Sequence, residues 1–436
     1  MRVLLVFPGL HHENAFPLGL AYLAAGLRHV GHEVLGCDLG LEPPATLRRR
    51  LDEGRPDLVG IAIWAANTRR AAEAARLVRA HSRARLVVGG PHATIAPAEV
   101  LRATGAEVAL LGEADRSLVT LADAAARGEA LRGLPGTAWL DERGASHLGS
   151  AAADPTDLDA LPAPDREVFV LARYRRGWVR GAPLRAPLLT SRGCPAGCAH
   201  CSAPALHRGR WRPRSPAAVV AEAVALAREH GAGWIDVEDE QPLVDRDRFL
   251  EICARWAQAP GAPAWGCPNG LRPEALDEPL VAAMAHAGCR HIALGVEAAS
   301  PEVLAALGRH PELEPSRAAV RWCREHGIDV AAYFMLGLPG EEPGASRAAL
   351  RAAQTLAPSS AHFSVYRPIP GARLAAEAIP DPRAVRARRA LLYLAWYGHP
   401  GRARRVLAHA GARPGDWPAA LGRFGAWLRG DLGWGG

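Results

Sequence analysis

Thr190-Ser191-Arg192-Gly193-Cys194-Pro195-Ala196-Gly197-Cys198-Ala199-His200-Cys201 sets three thiols in a C-x3-C-x2-C run. It follows directly on Ala186-Pro187-Leu188-Leu189, an apolar segment that reads as a short buried strand. Thiolates are soft ligands, and Gly193, Pro195 and Gly197 let the backbone wrap closely, so each cysteine can take one corner of an iron–sulfur cube. One iron is then left without a protein ligand. The competing use of such a loop is structural zinc, which needs four closed ligands and usually paired C-x2-C units or a nearby histidine. Here the fourth ligand would be His200, inside the loop, or a distant cysteine.

Working outward from the loop toward the C-terminus, the period becomes that of six strand–helix units, as in a partial α/β barrel. A helix is expected over 215–229, with Ser215 as its N-cap and Pro216 at its first position. Strands follow over 234–237, ending in Glu238-Asp239-Glu240, and over 263–266, running into Cys267-Pro268-Asn269-Gly270-Leu271-Arg272. Three more cover 291–296, ending at Glu297, then 329–336, closed by Gly337-Leu338-Pro339-Gly340-Glu341, and 362–366, closed by Pro368-Ile369-Pro370-Gly371. Polar residues at the C-terminal ends of barrel strands face one mouth, the one onto which the cysteine loop opens.

The cysteine spacing resembles the signature of the radical S-adenosylmethionine superfamily. Leu294-Gly295-Val296-Glu297, Met335-Leu336-Gly337-Leu338-Pro339-Gly340-Glu341 and Pro368-Ile369-Pro370-Gly371 extend the resemblance over most of 186–375. It implies a 4Fe-4S cluster on Cys194, Cys198 and Cys201 whose open iron chelates S-adenosylmethionine, and a one-electron donor such as flavodoxin or ferredoxin. The aromatic residue the family often carries before the third cysteine is His200 here, and the serine often found after the glutamate is Ala298. By the resemblance, His200 faces the adenine, and Glu297, Glu238, Asp239 and Glu240 are candidates for the ribose hydroxyls or amino group of S-adenosylmethionine. Read from the residues alone, each carboxylate can equally cap a helix or pair with arginine.

Toward the N-terminus, residues 1–145 alternate strand and helix patterns, the mark of a parallel sheet with helices on both faces. Strands are expected over 2–7, 33–37, 57–63, 85–88 and 108–111, with helices over 18–30 and 68–82. Ligands of such sheets bind at the carboxyl ends of the strands. Pro17-Leu18-Gly19-Leu20-Ala21-Tyr22-Leu23, Gly89-Gly90-Pro91-His92-Ala93 and Gly112-Glu113 resemble the cobalamin-binding domain found ahead of many radical S-adenosylmethionine enzymes. This implies a Rossmann-like, flavodoxin-like fold with Pro17, Gly19, Gly89, Gly90, Gly112 and Glu113 near the cofactor. Ala114-Asp115 replaces the family's usual second Gly-Glu, and no D-x-H-x-x-G run supplies a histidine to cobalt, so His92 is read as a turn residue.

Four segments result: a cobalamin-binding-like domain over 1–145, a linker over 146–184, a partial barrel over 185–377 and a helical extension over 378–436. The linker is acidic and proline-punctuated between Asp154 and Arg166, which favours extended backbone. In the extension, Leu391, Leu392, Leu394 and Ala395 are read as core packing against the barrel. The net charge of +7 is carried by arginine, the chain having no lysine, and no interleaving of basic and aromatic residues argues for nucleic acid. Apart from the loop, five cysteines are scattered singly, as expected of a reducing compartment rather than a disulfide framework. With no secretory signal and no apolar run of membrane-spanning length, a cytoplasmic protein is expected.

The resemblance implies a cobalamin-dependent methyltransferase acting on an unactivated carbon, or on phosphorus, of a small molecule or peptide. In the family's chemistry a 5'-deoxyadenosyl radical takes a hydrogen atom from the substrate, which then collects a methyl group from methylcobalamin. A cyclisation, rearrangement or oxidation with the same two cofactors is the nearest alternative. A methylthiotransferase would need three more thiols where the N-terminal domain has only Cys37. A cobalamin-binding regulatory or scaffold protein would leave the cysteine loop without a use.

Overall fold

The computed structural model describes residues 1–9, 15–174, 183–377 and 381–402. The chain divides into two units, Met1–Tyr174 and Arg175–Gly436, each built on its own sheet. In the first, β1 (Arg2–Phe7), β2 (Glu33–Asp38), β3 (Leu58–Ala62), β4 (Arg85–Gly89) and β5 (Val108–Leu110) run parallel in the order β2-β1-β3-β4-β5. This is the flavodoxin-like order, whose winding reverses between β1 and β3. The connections carry α1 (Leu18–His29), α2 (Pro44–Gly54), α3 (Thr68–His81), α4 (Pro91–Ile95), α5 (Pro97–Thr104) and α6 (Ser117–Ala126). Five consecutive positions of β1 are buried, because a parallel sheet covered on both faces leaves neither side for polar residues. In α3, Ala71, Ala74, Ala75 and Val78 are buried, a helical stripe of small residues that lets the helix lie close to the strands.

Two strands that the sequence reading does not foresee, β6 (Thr137–Leu140) and β7 (Ser146–Leu148), extend this sheet antiparallel beyond β5. All of β7 is exposed, so no alternation of apolar and polar residues marks it. Residues before Tyr174 pack on the same unit: Phe16 meets Phe169 and Tyr174 edge-on, with ring centroids 6.4 and 5.1 Å apart. Tyr174 Oη donates to Asp38 Oδ2 at 2.6 Å, and Arg173 pairs with Glu42 at 2.8 Å.

In the second unit β8 (Leu184–Leu188) leads into a two-stranded ribbon of β9 (Ser191–Arg192) and β10 (Arg212–Pro213). β11 (Ala232–Val237), β12 (Ala264–Leu271), β13 (Cys289–Glu297), β14 (Asp329–Leu336) and β15 (Ser360–Val365) then add to β8 in chain order, all parallel. Six parallel strands in unbroken sequence order make the wall of a partial barrel. Helices α7 (Ala203–His207), α8 (Pro216–His230), α9 (Arg246–Gln258), α10 (Glu278–His286), α11 (Pro301–Ala306), α12 (Glu314–Glu325), α13 (Ala345–Leu356) and α14 (Pro382–Tyr397) complete it. Ser215, Asp245, Asp277 and Ser300 cap α8 to α11 by accepting from the main-chain N–H groups of Ala218, Arg248, Leu280 and Val303. Each cap fixes the turn by which a strand end passes into its helix.

Side chains alternate across β14 and β15. Phe334 and Phe363 stack at 5.6 Å, and Phe363 meets Tyr393 of α14 edge-on, so this set faces the helices. Tyr333 and His362, paired in register, face the other, concave side. The expectation for residues 391–395 holds only for Leu392. Leu391, Leu394 and Ala395 are exposed, because the helical period puts Val385, Leu392, Tyr393 and Trp396 on the buried stripe instead. The rest of the expected C-terminal helix, 403–436, lies outside the described residues. No described helix is long and apolar enough to cross a membrane.

Candidate functional site

The cysteine loop leaves the C-terminal end of β8 and is held by its flanks. At its base, buried Asp239 accepts from the Thr190 N–H at 2.7 Å, from the Thr190 hydroxyl at 2.7 Å and from the Ser191 hydroxyl. Burial pushes the Asp239 carboxyl up to about 6, although these three donors oppose the rise. Glu240 accepts from the Gly193 N–H at 3.2 Å and from His207 Nε2 at 2.9 Å. Burial raises its carboxyl, but the His207 hydrogen bond and charge outweigh it and hold the group below the usual range. Gly193 sits at φ +92°, and a β-carbon there would lie 2.1 Å from the Arg210 carbonyl oxygen, so only glycine fits this turn. Farther along, the Ala199 N–H donates to the Leu307 carbonyl, the Leu374 N–H to the Ala199 carbonyl, and Arg373 to the Gly197 carbonyl at 2.7 Å. The loop is thus strung between the turns after α11 and β15.

All three cysteines are free; Cys198 is buried, and Cys194 and Cys201 are half-buried. Burial raises the thiol of Cys194 and pushes that of Cys201 up to about 11, with neighbouring thiols of the loop adding to both. Both are therefore protonated near neutrality and would release protons on taking a metal. Among the described residues no three His, Cys, Asp or Glu side chains converge as ligands of a single ion. Three thiolates on separate corners of a cube need no such convergence. Cys201 Sγ accepts from the Ala203 N–H at 3.4 Å, and Cys198 Sγ from Arg272 Nη1 at 3.3 Å.

His200 and Glu297 face each other across the mouth, 4.0 Å between Nε2 and Oε1. Burial lowers the His200 imidazole, the nearby Glu297 carboxylate opposing it. Its Nδ1 is buried without a partner, an orphaned polar atom of the kind a ligand satisfies. Glu297 has φ +68°, a left-handed conformation for a residue with a side chain, where the β13–β14 register shifts between Gly295 and Glu297. Its carboxylate also lies 3.9 Å from Arg309 Nη1, and Arg309, itself buried, donates to the Gly295 carbonyl. Glu238 receives Asn269 Nδ2 at its carbonyl and carboxylate, 3.0 and 3.2 Å away. The second unit thus brings the cysteines, His200, Glu240 and Glu297 to one mouth, with Asp239 turned inward beneath the loop. Arg272, Arg309 and His207 join them without a sequence motif to announce them; only Arg272 lies in a stretch legible as a strand end.

In the first unit, the five parallel strands end along one edge, which carries the start of α1 with Pro17 and Gly19, the Gly89-Gly90 turn, and Gly112-Glu113. Gly90 has φ +100°, and a β-carbon there would lie 2.9 Å from the Ile63 carbonyl oxygen. Thr94 ties two of these stretches together, its hydroxyl donating to the Gly90 carbonyl at 3.0 Å and accepting from the Gly112 N–H at 3.0 Å. Gly19 is exposed, with open space where a β-carbon would stand. His92 is buried against Glu99, 3.2 Å from Nε2 to Oε1.

A Radical SAM superfamily model matches residues 188–350, and a B12 binding domain model matches residues 9–122. An uncharacterised methyltransferase of Pyrococcus horikoshii is 28% identical over 395 residues, 86% of this chain and 82% of that one. The anaerobic magnesium-protoporphyrin IX monomethyl ester cyclase of Cereibacter sphaeroides is 30% identical over 389 residues, 85% of this chain and 62% of that one. Among solved structures, the radical S-adenosylmethionine methyltransferase TsrM of Kitasatospora setae, with tryptophan substrate and aza-SAM bound, matches with a TM-score of 0.73 and 25% identity over 86% of this chain and 75% of that one. With the two matched regions falling on the two sheets in this order, the chain belongs to the radical S-adenosylmethionine enzymes that carry a cobalamin-binding domain ahead of the barrel.

Proposed function

We propose that the protein is a cobalamin-dependent radical S-adenosylmethionine methyltransferase acting on an unactivated carbon, or on phosphorus, of a small molecule or peptide. The observation that carries the reading is the loop itself: three free thiols at one barrel mouth, in a chain whose other sheet has the order of a cobalamin-binding domain. When bound, the cluster supplies the electron that opens S-adenosylmethionine, and cobalamin supplies the methyl group. The chain's own residues bind and orient. Cys194, Cys198 and Cys201 are the iron ligands, and the donor set fits: free sulfurs, no competing disulfide, and hydrogen-bond donors already aimed at them. Asp239 and Glu240 hold the loop in place through Thr190, Ser191 and Gly193. His200 and Glu297 form the walls for S-adenosylmethionine, the carboxylate taking its hydroxyl or amino groups, and Glu238 with Asn269 offers a second polar wall. In the first unit cobalamin would lie at the carboxyl ends of the parallel strands, where Pro17, Gly19, Gly89, Gly90, Gly112 and Glu113 stand.

The setting is a reducing cytoplasm, with a flavodoxin or ferredoxin as donor and no nucleic-acid partner. A second reading, cyclisation or oxidation with the same cofactors, is favoured by the identity to the magnesium-protoporphyrin IX monomethyl ester cyclase. Product stoichiometry separates the two. Methyl transfer uses S-adenosylmethionine twice per turnover, giving 5'-deoxyadenosine and S-adenosylhomocysteine in about equal amounts beside one methylated product. Anaerobic reconstitution and assay of iron, sulfide and cobalamin come first; 5'-deoxyadenosine coupled to product with S-adenosylhomocysteine at background would favour the second reading.

A further inference from the structure

The three thiols of the loop differ in what touches them. Cys194 accepts a hydrogen bond from the Ala196 backbone and Cys201 from the Ala203 N–H at 3.4 Å, donors that the loop and its own continuation supply. Cys198 instead accepts from a side chain of the barrel wall, with Arg272 Nη1 3.3 Å from its Sγ. Arg272 directly follows β12, and its other two nitrogens are occupied. Nε donates to Glu274 Oε1 at 2.9 Å, while Nη2 lies 2.6 Å from the same oxygen and 3.4 Å from the Gly308 carbonyl oxygen. Gly308 follows Leu307, whose carbonyl receives the loop at Ala199. The guanidinium fork is therefore fixed from two elements, with the remaining nitrogen aimed at one sulfur. Both side chains are largely shielded, Arg272 22% and Glu274 27% exposed, so solvent screens the charge on the thiolate only weakly.

We propose that Arg272 sets the reduction potential of the iron–sulfur group held by Cys194, Cys198 and Cys201, raising it through a charged hydrogen bond to Cys198 Sγ, with Glu274 as the counter-charge that moderates the effect. The inference rests on the cluster reading above. One-electron reduction adds one negative charge to the thiolate-held group, with no bond to the protein made or broken. A hydrogen bond to a ligating sulfur, and a positive charge beside it, favour the more negative form. Arg272 is thus a positioning and tuning residue, and it lets a weaker one-electron donor serve this chain than a loop with backbone donors alone would require.

The test is a redox titration of the full chain, reconstituted anaerobically with iron and sulfide and followed by electron paramagnetic resonance, for the wild type, Arg272→Met and Glu274→Gln. Arg272→Met keeps an unbranched stem but loses donor and charge, so its midpoint is expected to be more negative than that of the wild type. Glu274→Gln keeps Arg272 and removes the counter-charge, so its midpoint is expected to be more positive. Loosening of the loop would not move the two variants in opposite directions. Should Arg272→Met take up no cluster, the positive shift in Glu274→Gln decides. Unmoved midpoints, or shifts of the same sign in both variants, overturn the proposal while leaving the cluster reading intact. A wild-type chain that takes up no iron overturns the cluster reading and this inference with it, so the two failures are told apart by the wild-type iron content.

Discussion

Gly295 and Glu297 share one space: a β-carbon on residue 295 would sit 2.5 Å from Glu297 Oε1. The glycine is what lets the carboxylate fold back over the end of β13 toward His200. Gly295→Ala should therefore displace the carboxylate and weaken S-adenosylmethionine binding to the reconstituted protein by about tenfold, on the order of 1.4 kcal/mol. Equilibrium dialysis with labelled S-adenosylmethionine measures it.

Glu297 itself is held at φ +68°, a conformation that costs a residue with a β-carbon on the order of 1 kcal/mol or more. Glu297→Gly relieves that strain, so its urea midpoint should equal or exceed that of the wild type while affinity for S-adenosylmethionine falls. A variant that binds as tightly as the wild type would show that the carboxylate does not touch the ligand.

Cys194→Ala, Cys198→Ala and Cys201→Ala should each abolish cluster binding and reductive cleavage of S-adenosylmethionine. Cys194 and Cys201 are half-buried at the mouth, so their loss should change stability by no more than about 1 kcal/mol, and the loss of buried Cys198 by more than that. Iron and sulfide analysis beside circular dichroism checks both halves; full iron content with intact cleavage in any one variant would remove that cysteine from the ligand set.

Asp239 gives the second unit a pH signature. Its folded carboxyl is pushed up by burial to about 6, above the roughly 3.9 of an unfolded aspartate, so the folded state holds the extra proton between these values. The associated stabilisation is fully present below the unfolded value and is lost as pH rises through the folded one, a change on the order of 2–3 kcal/mol. On protonation the carboxyl can donate to the Thr190 or Ser191 hydroxyl that formerly donated to it. Denaturation midpoints at pH 5, 6 and 7 should fall more steeply for the wild type than for Asp239→Asn; parallel curves would contradict the shift.

In the first unit, His92 is engaged with Glu99 inside the α4–α5 region, and the chain has no D-x-H-x-x-G run. Reconstituted with cobalamin and reduced to the cob(II)alamin form, the protein should show no nitrogen splitting of the cobalt resonances, and His92→Ala should leave that spectrum unchanged while costing about 1 kcal/mol of stability. Splitting that disappears in His92→Ala would identify a ligand instead.

Much of the frame was legible because its signal is local. The buried strands of both sheets are short apolar runs followed by glycine or acidic residues, and Ser215-Pro216 announces α8 through a cap that needs only three neighbouring residues. Failures came where the signal is not local. β7 has an exposed Ser-His-Leu run defined only by its pairing with β6, and Leu391 and Leu394 are apolar without being on the buried face of α14. At the mouth, the cysteines could be read from spacing, whereas Arg272 meets Cys198 across 74 residues. The left-handed turn at Glu297 follows from a register shift that no residue type there encodes.

The hydrogen bond from Tyr174 to Asp38 bears on how this protein could be divided. A fragment ending after the last strand of the first sheet would keep all seven strands yet strip the rings of Phe169 and Tyr174 from Phe16 and take from Asp38 its hydroxyl donor, leaving it the Gly40 N–H at 2.7 Å. Losing that hydrogen bond costs on the order of 1 kcal/mol, before the exposed aromatic surface is counted. The portable module is therefore 1–174, its final residues acting as a latch across the end of β2, and any transplant of this half into another chain should carry the latch with it.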